Sequence, residues 1–254
     1  MLAIDLTGKT ALVTGATGQL GRVMARTLAQ CGANVAVHYH SNFEMAQKLV
    51  KELQDVGVQS VSVRADVTQL EQVMAMRDEI AKQLGDPDII VNNAVSQYHW
   101  TTVLEQPVED YADQFGSCVL QNVNMAKAFA PAMMKKRWGR IIGINTECSM
   151  QTFAGQSAYV AAKRGMDGVL RVLAQEIGPY QVTVNQVAPG WTISDRDREK
   201  HTERDEAYES KVPLRRRGTD QEIANAVAFL ASDLASNITG VYLPVCGGNV
   251  MPRI

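Results

Sequence analysis

The amino-acid sequence predicts a doubly wound α/β fold, a seven-stranded parallel sheet with helices on both faces. Three observations predict it. Apolar runs of strand length alternate along the chain with stretches of helical period. The apolar runs are nearly continuous rather than alternating, as expected when helices cover both faces of a parallel sheet. The first run leads into a glycine-rich turn that opens the first helix, the arrangement of a βα phosphate-binding unit.

The strands are expected at 10–14 ("TALVT"), 34–39 ("NVAVHY"), 60–65 ("SVSVRA"), 88–93 ("DIIVNN"), 140–144 ("RIIGI"), 183–188 ("TVNQVA") and 241–245 ("VYLPV"). Helices fit between them at 19–30, 43–55, 69–84, 108–137, 159–177 and 220–231. There is no internal repeat, low-complexity segment or linker, so one domain is expected over 1–254. The one composition shift is "SDRDREKHTERDEAYESK" at 194–211, between a strand end and the last helix. A charged insert there stands at the carboxyl edge of the sheet, where such folds bind ligands, and predicts a substrate lid over 191–212.

Composition narrows the function. The chain has 254 residues, 46% apolar, with a formal net charge of −2, which argues against general nucleic-acid binding. The short basic run Arg215–Arg217 reads as a solvated loop. Four cysteines and four histidines are scattered without metal-ligand spacing, so no metal is expected and free thiols in a reducing compartment are. The start "MLAIDLTGKT" lacks the basic and apolar regions of a secretory signal, and no apolar stretch reaches the ~18 residues of a membrane span. A soluble cytoplasmic protein without membrane or nucleic-acid partners is expected.

The turn "TGATGQLG" spans 14–21. Gly15 permits the tight turn, Gly18 lets backbone approach a pyrophosphate, and Gly21 lets the helix pack on the strand; Thr17, Gln19 and Leu20 complete the loop. The helix N-terminus then offers N–H groups to the anion. The acid expected about twenty residues on is missing. The second strand ends "VHYHSN", offering His40, Ser41 and Asn42 to the ribose instead of a carboxylate, which favours NADP(H) over NAD(H).

Tyr159 and Lys163 stand four apart on an expected helix and share a face. A nearby ammonium lowers a tyrosine pKa and suits it to proton transfer with a carbonyl or alcohol oxygen. With "TGATGQLG", "DVT" (66–68), "NNA" (92–94), "GRIIGI" (139–144), "YVAAK" (159–163), "VNQVAPG" (184–190) and "FLASDLASNITGVYLPVCGG" (229–248), the chain resembles the short-chain dehydrogenase/reductase family. The branch it is most similar to holds 3-oxoacyl-carrier-protein reductases, glucose dehydrogenases and carbonyl reductases. The resemblance implies hydride transfer between a nicotinamide and a small carbonyl or secondary alcohol. It implies that Asp66 and Val67 flank the adenine, and that Asn92, Asn93 and Ala94 line the cofactor cleft. Pro189, Gly190 and Thr192 lie against the nicotinamide. Tyr159 is the implied general acid/base, with Lys163 holding the nicotinamide ribose and tuning it. A homotetramer or homodimer is implied as well.

The sequence departs from the family pattern around this centre. Thr146 stands thirteen residues before Tyr159, where the family has serine; its hydroxyl still donates, but its extra methyl stiffens χ1. Ser149 is expected in the pocket or turn. Cys118 falls where the branch has a helix asparagine, Val95 where it has glycine, and Gln19 where its usual turn has glycine. Pocket candidates are Ser96, Gln97, Tyr98, His99, Trp100, Glu147, Met150, Gln151 and Trp191. Glu147 reads either as a second acid/base group or as a solvated loop residue. The expected function is an oxidoreductase with Thr146, Tyr159 and Lys163 as its catalytic residues; the alternative is a non-catalytic cofactor-binding or subunit relative.

Overall fold

The computed structural model describes residues 3–252. Seven parallel strands form one sheet in the order β3-β2-β1-β4-β5-β6-β7: β1 (Thr10–Val13), β2 (Asn34–Tyr39), β3 (Ser60–Arg64), β4 (Ile89–Asn92), β5 (Gly139–Ile144), β6 (Val182–Pro189) and β7 (Tyr242–Val245). The helices are α1 (Gln19–Gln30), α2 (Phe43–Asp55), α3 (Leu70–Leu84), α4 (Val108–Phe115), α5 (Gln121–Lys136), α6 (Cys148–Gln151), α7 (Ser157–Ile177), α8 (Asp195–Lys200), α9 (Glu206–Glu209) and α10 (Asp220–Ala231). Strand order reverses between β1 and β4, which opens a crevice at their carboxyl ends.

The strands read as unbroken apolar runs because both faces are covered. In β1, Ala11 and Val13 join a core with Met24, Leu28, Leu49, Ile223 and Val227 of α1, α2 and α10. Leu12, pointing the opposite way, joins a core with Met76, Ile80, Phe129, Met166 and Leu170 of α3, α5 and α7. Both layers fix the height at which the strand ends present their loops.

Helices α2, α8, α9 and α10 start on capping side chains, Asn42, Ser194, Asp205 and Thr219. Asn42 Oδ1 accepts the Met45 N–H at 3.1 Å and caps α2. This changes the reading of Asn42: its side chain is committed to the helix and does not line the cofactor cleft. At α10, Thr219 Oγ1 accepts the Glu222 N–H at 3.3 Å while Glu222 Oε2 accepts the Thr219 N–H at 2.8 Å, a reciprocal capping box.

The helix expected over 108–137 is interrupted. Residues Gly116–Leu120 form a π-helical turn between α4 and α5. Such a turn widens the helix by one residue and turns the side chains within it onto a new face. Cys118 lies in this turn, fully buried against Lys163 of α7.

Removing the α10 cap by Thr219→Ala is expected to lower stability by about 1 kcal/mol, read as a reduced midpoint in chemical denaturation at constant slope. An unchanged midpoint would show that the box contributes nothing in this context.

Candidate active site

The carboxyl ends of β1, β2 and β4 hold the glycine turn in place. Gly15 has φ +59, and a Cβ at Gly21 would stand 2.3 Å from the Gly15 carbonyl oxygen, so the turn admits only glycine there. Gly15 donates its N–H to His38 Nδ1 at 2.9 Å, and His38 Nε2 lies 3.1 Å from the Ala65 carbonyl oxygen. Nδ1 therefore carries the lone pair and Nε2 the proton. Burial pushes the His38 pKa down to about 4, which keeps this acceptor unprotonated at neutral pH. Thr14 Oγ1 accepts the N–H groups of Asn93 and Ala94 at 2.8 and 3.0 Å, and Asn93 Nδ2 donates to the Thr14 and Gly15 carbonyls at 2.9 and 3.2 Å.

Beside this frame runs a cleft of about 900 Å³, lined by Gly15, Thr17, Gly18, Gln19, Leu20, His40, Ser41, Asp66, Val67, Asn93 and Ala94. No side chain caps α1, whose first turn carries no acid, so its N-terminus faces the cleft free for an anion. The close glycine turn and the uncapped helix fit a dinucleotide. Gly21 packs under the turn rather than lining the cleft. Asn92 also lies outside it: its Nδ2 donates to Asn122 Oδ1 at 2.7 Å, and Asn122 Nδ2 donates to the Cys118 carbonyl at 2.6 Å. Arg64 went unnoticed in the sequence. The β2–β3 register sets it opposite Tyr39, and its Nε donates to the His40 carbonyl at 3.0 Å, leaving an exposed guanidinium beside the end of β2.

Leu20, Asn93, Val95, Ser96 and Gln97 also line a second cavity of about 550 Å³, so the two spaces adjoin. Thr146, Tyr159, Lys163, Pro189, Gly190 and Thr192 converge on it. The Thr146 hydroxyl lies near the Tyr159 hydroxyl on the same cavity and favours its ionised form; its oxygen accepts the Cys148 N–H at 3.2 Å. Lys163, almost fully buried, donates from Nζ to the Ile144 carbonyl at 2.6 Å, with Nζ 5.7 Å from the Tyr159 ring centroid. The Met166 Sδ lies 3.9 Å from the same ammonium. The lowering of the Tyr159 pKa expected from Lys163 does not hold in the chain by itself. Burial pushes the phenol upward, and the nearby Thr146 hydroxyl opposes this only in part. Burial also pushes the Lys163 ammonium down, toward losing its proton more readily.

Glu147 is not a solvated loop residue. It is 3% exposed and lines the cavity; its Oε1 accepts from the Tyr208 hydroxyl at 2.9 Å and its Oε2 from Asn249 Nδ2 at 3.0 Å. Burial raises its pKa, and the donors from Asn249 and Tyr208 pull it back. Ser149 faces away from the cavity: its hydroxyl donates to the Thr146 carbonyl at 3.0 Å and shares a hydrogen bond with the Tyr242 hydroxyl at 2.8 Å. His99 and Met150 do not line the cavity, and Gln151 lines a neighbouring pocket with Phe153, Trp191 and Tyr208. Cys148, Phe153, Gln156 and Tyr208 line the cavity without having been anticipated.

The segment 191–212 folds as α8 and α9 over the end of β6. Gln19, standing where the family branch has glycine, donates from Nε2 to the Ile193 carbonyl at 2.8 Å and accepts the Asp195 N–H at 3.0 Å. Arg22 also pairs with Asp195. The reading of Arg215–Arg217 as a solvated run fails at Arg217, which is 2% exposed. Its guanidinium donates to the Thr192 carbonyl at 3.0 Å, the Thr202 carbonyl at 3.1 Å and Asp197 at 2.8 Å, and stacks 4.3 Å from the Trp191 ring centroid. Enough acceptors surround it to offset its desolvation.

Comparison with known proteins agrees with this geometry. A family model described as enoyl-(acyl carrier protein) reductase matches residues 15–249. The 3-oxoacyl-(acyl-carrier-protein) reductase FabG of Pseudomonas aeruginosa is 38% identical over 248 residues, covering 98% of this chain and all of the relative. FabG of Escherichia coli is 37% identical over 248 residues, with the same coverage. The crystal structure of an NAD+-bound xylitol dehydrogenase superposes with a TM-score of 0.89 at 29% identity, covering 96% of this chain and 99% of that one. A phosphate-binding turn opening onto a Tyr–Lys cavity thus defines a nicotinamide-dependent oxidoreductase acting on carbonyl or alcohol groups. The chain belongs to the short-chain dehydrogenase/reductase family.

The His38 pKa gives a pH test. Its folded value lies below the ordinary value of 6.5, so its contribution to stability is complete above pH 6.5 and is lost as pH falls toward 4. The loss attributable to this group is roughly 3 kcal/mol. Melting temperatures measured across that window are expected to fall more steeply for the wild type than for His38→Gln. Parallel slopes would mean the ring does not titrate as its burial requires.

Proposed function

We propose that the protein interconverts a small-molecule carbonyl and its secondary alcohol, with NADP(H) preferred over NAD(H). The observation that carries the reading is the convergence of Thr146, Tyr159 and the buried Lys163 ammonium on one cavity adjoining the glycine-turn cleft. A nicotinamide bound in that cleft supplies the hydride in reduction and accepts it in oxidation. The protein handles the proton. Tyr159 donates its hydroxyl proton to the carbonyl oxygen in reduction and takes it back in oxidation. Thr146 donates a hydrogen bond to the same oxygen as negative charge builds on it. Lys163 stabilises the phenolate that Tyr159 becomes. Asp66 and Val67 would hold the adenine, Gly15–Leu20 the pyrophosphate, and Asn93, Ala94, Pro189, Gly190 and Thr192 the nicotinamide. Segment 191–212 acts as the lid of a single domain.

His40, Ser41 and Arg64 support the NADP(H) preference: they offer donors and positive charge at the end of β2, where no carboxylate stands. The exposed apolar residues Val108, Phe115, Leu120 and Val172 on α4, the π turn and α7 support a homotetramer or homodimer. Among the described residues no helix is long and apolar enough to cross a membrane, and all four cysteines are free, which supports a cytoplasmic enzyme. The non-catalytic alternative finds no support in the site, whose cavity stays open beside Val95.

Tyr159→Phe is expected to lower kcat by at least about 100-fold, the usual worth of a general acid, while the dissociation constant for NADPH stays within about threefold. Turnover undiminished in this variant would remove Tyr159 from the chemistry. In a fluorescence titration NADPH is expected to bind more tightly than NADH, and Arg64→Ala to narrow the gap by about tenfold, a typical loss for one charge-assisted hydrogen bond. Equal affinities in the wild type would overturn the preference.

A further inference from the structure

The substrate cavity holds a buried carboxylate with no cation of its own. Glu147 lies directly after Thr146, so its carboxylate stands in the same turn as the hydroxyl that orients the reacting oxygen. Both of its oxygens accept from neutral donors, the Tyr208 hydroxyl and the Asn249 amide. The ion pairs among the described residues all use other carboxylates. Neither buried base near the cavity reaches it: Lys163 donates to the Ile144 carbonyl, and Arg217 is committed to Asp197 and the lid carbonyls. A buried anion served only by neutral donors retains much of its desolvation cost, and a cation brought by a ligand would offset it.

The walls suit such a ligand. Tyr98, Trp100, Phe153, Trp191 and Tyr208 line the same cavity as Glu147. Trp191 and Tyr208 meet edge to face, centroids 5.4 Å apart at 82°, and Trp100 stacks on Tyr159 at 6.2 Å. Aromatic faces around one acid attract an alkylated ammonium and give a polyhydroxylated chain few partners. A second acceptor points the same way: Gln156, 8% exposed and also lining the cavity, has a buried Oε1 with no hydrogen-bond partner.

Resting on the oxidoreductase reading above, we propose that the cavity selects amino ketones and the matching amino alcohols, with Glu147 as counter-ion to the substrate nitrogen and the aromatic side chains as its cage. The adjacency of Thr146 and Glu147 places the nitrogen only a few bonds from the carbonyl. Glu147 is a specificity-determining residue in this role and takes no part in the proton transfer.

The test compares kcat/KM for 1-methylpiperidin-4-one, protonated at neutral pH, with neutral 4-methylcyclohexanone and the polyhydroxylated ketone fructose, each with NADPH. The cationic ketone is expected to be favoured over its neutral isostere by roughly thirtyfold, the worth of a desolvated cation–π and ion-pair contact. That ratio should collapse in Glu147→Gln and survive in part in Glu147→Asp. Equal efficiencies, or a preference for either neutral ketone, would overturn the inference and leave the oxidoreductase reading standing. Calorimetric titration of the NADPH complex with 1,1-dimethylpiperidinium, against neutral tetrahydropyran, reads the cation site without any chemistry. Binding of the cation alone to the wild type supports the site even if no ketone is reduced and even if Glu147→Gln does not fold; its failure to bind sinks it.

Discussion

The hydrogen bonds that clamp the Gly15–Gly21 turn between β1, β2 and β4 are the constraint on which the rest of the site depends. Thr14 serves as acceptor for two N–H groups of the β4 loop and as donor to Gln121 Oε1 at 2.7 Å, so α5 joins the same clamp. His38 fixes the turn from the other side through a ring nitrogen that must stay unprotonated. None of these groups faces the substrate. They set the height of Asn93 and Ala94, and through them where the two cavities meet. A parallel sheet makes this possible because every strand ends on the same edge, and the order reversal at β1 and β4 leaves that edge uncovered.

Burial governs the chemistry at this edge. Tyr159, Lys163 and Glu147 are three ionisable groups around one cavity, and for each the cost of desolvating charge is the largest influence. The effect has opposite consequences by sign: the acids hold their protons more firmly and the base holds its proton less firmly. A phenol so placed is a reluctant acid until a positive charge or an oxyanion-stabilising donor arrives, and that links proton transfer to the occupied site. The Thr146 hydroxyl, near Tyr159 on the same cavity, is one such donor.

Much of this was legible in the sequence. The strands and the helices 19–30, 43–55 and 220–231 are set by local patterns, continuous apolar runs and amphipathic periods, so they appear where the periodicity puts them. The glycine turn was legible because steric exclusion at Gly21 leaves no other residue. Other features depend on partners far along the chain. Arg217 looks like one of three solvated arginines until the lid supplies carbonyls from residues 191–203. Arg64 reaches the end of β2 only through strand register. The π turn at Gly116–Leu120 leaves no mark in a period meant for 3.6 residues per turn. Asn42 looked like a ribose ligand, and its real signal was the N-cap position before "FEMA".

Gln19 shows how a departure from a family pattern can carry structure. Glycine at that position would leave Arg22, which bonds both Thr17 and Asp195, to join the glycine turn to segment 191–212. The glutamine amide instead bonds the Ile193 carbonyl, the Asp195 N–H and Asp220 Oδ2, the last at 3.1 Å, and Asp220 is in turn held by Arg198 at 2.8 Å. The glycine turn and segment 191–212 are therefore joined by one network through α10. Displacing that segment must break those bonds. The two adjoining cavities are thereby held as one site, so the aromatic wall formed by Trp191 and Tyr208 keeps its place over Glu147 only while the turn keeps its own.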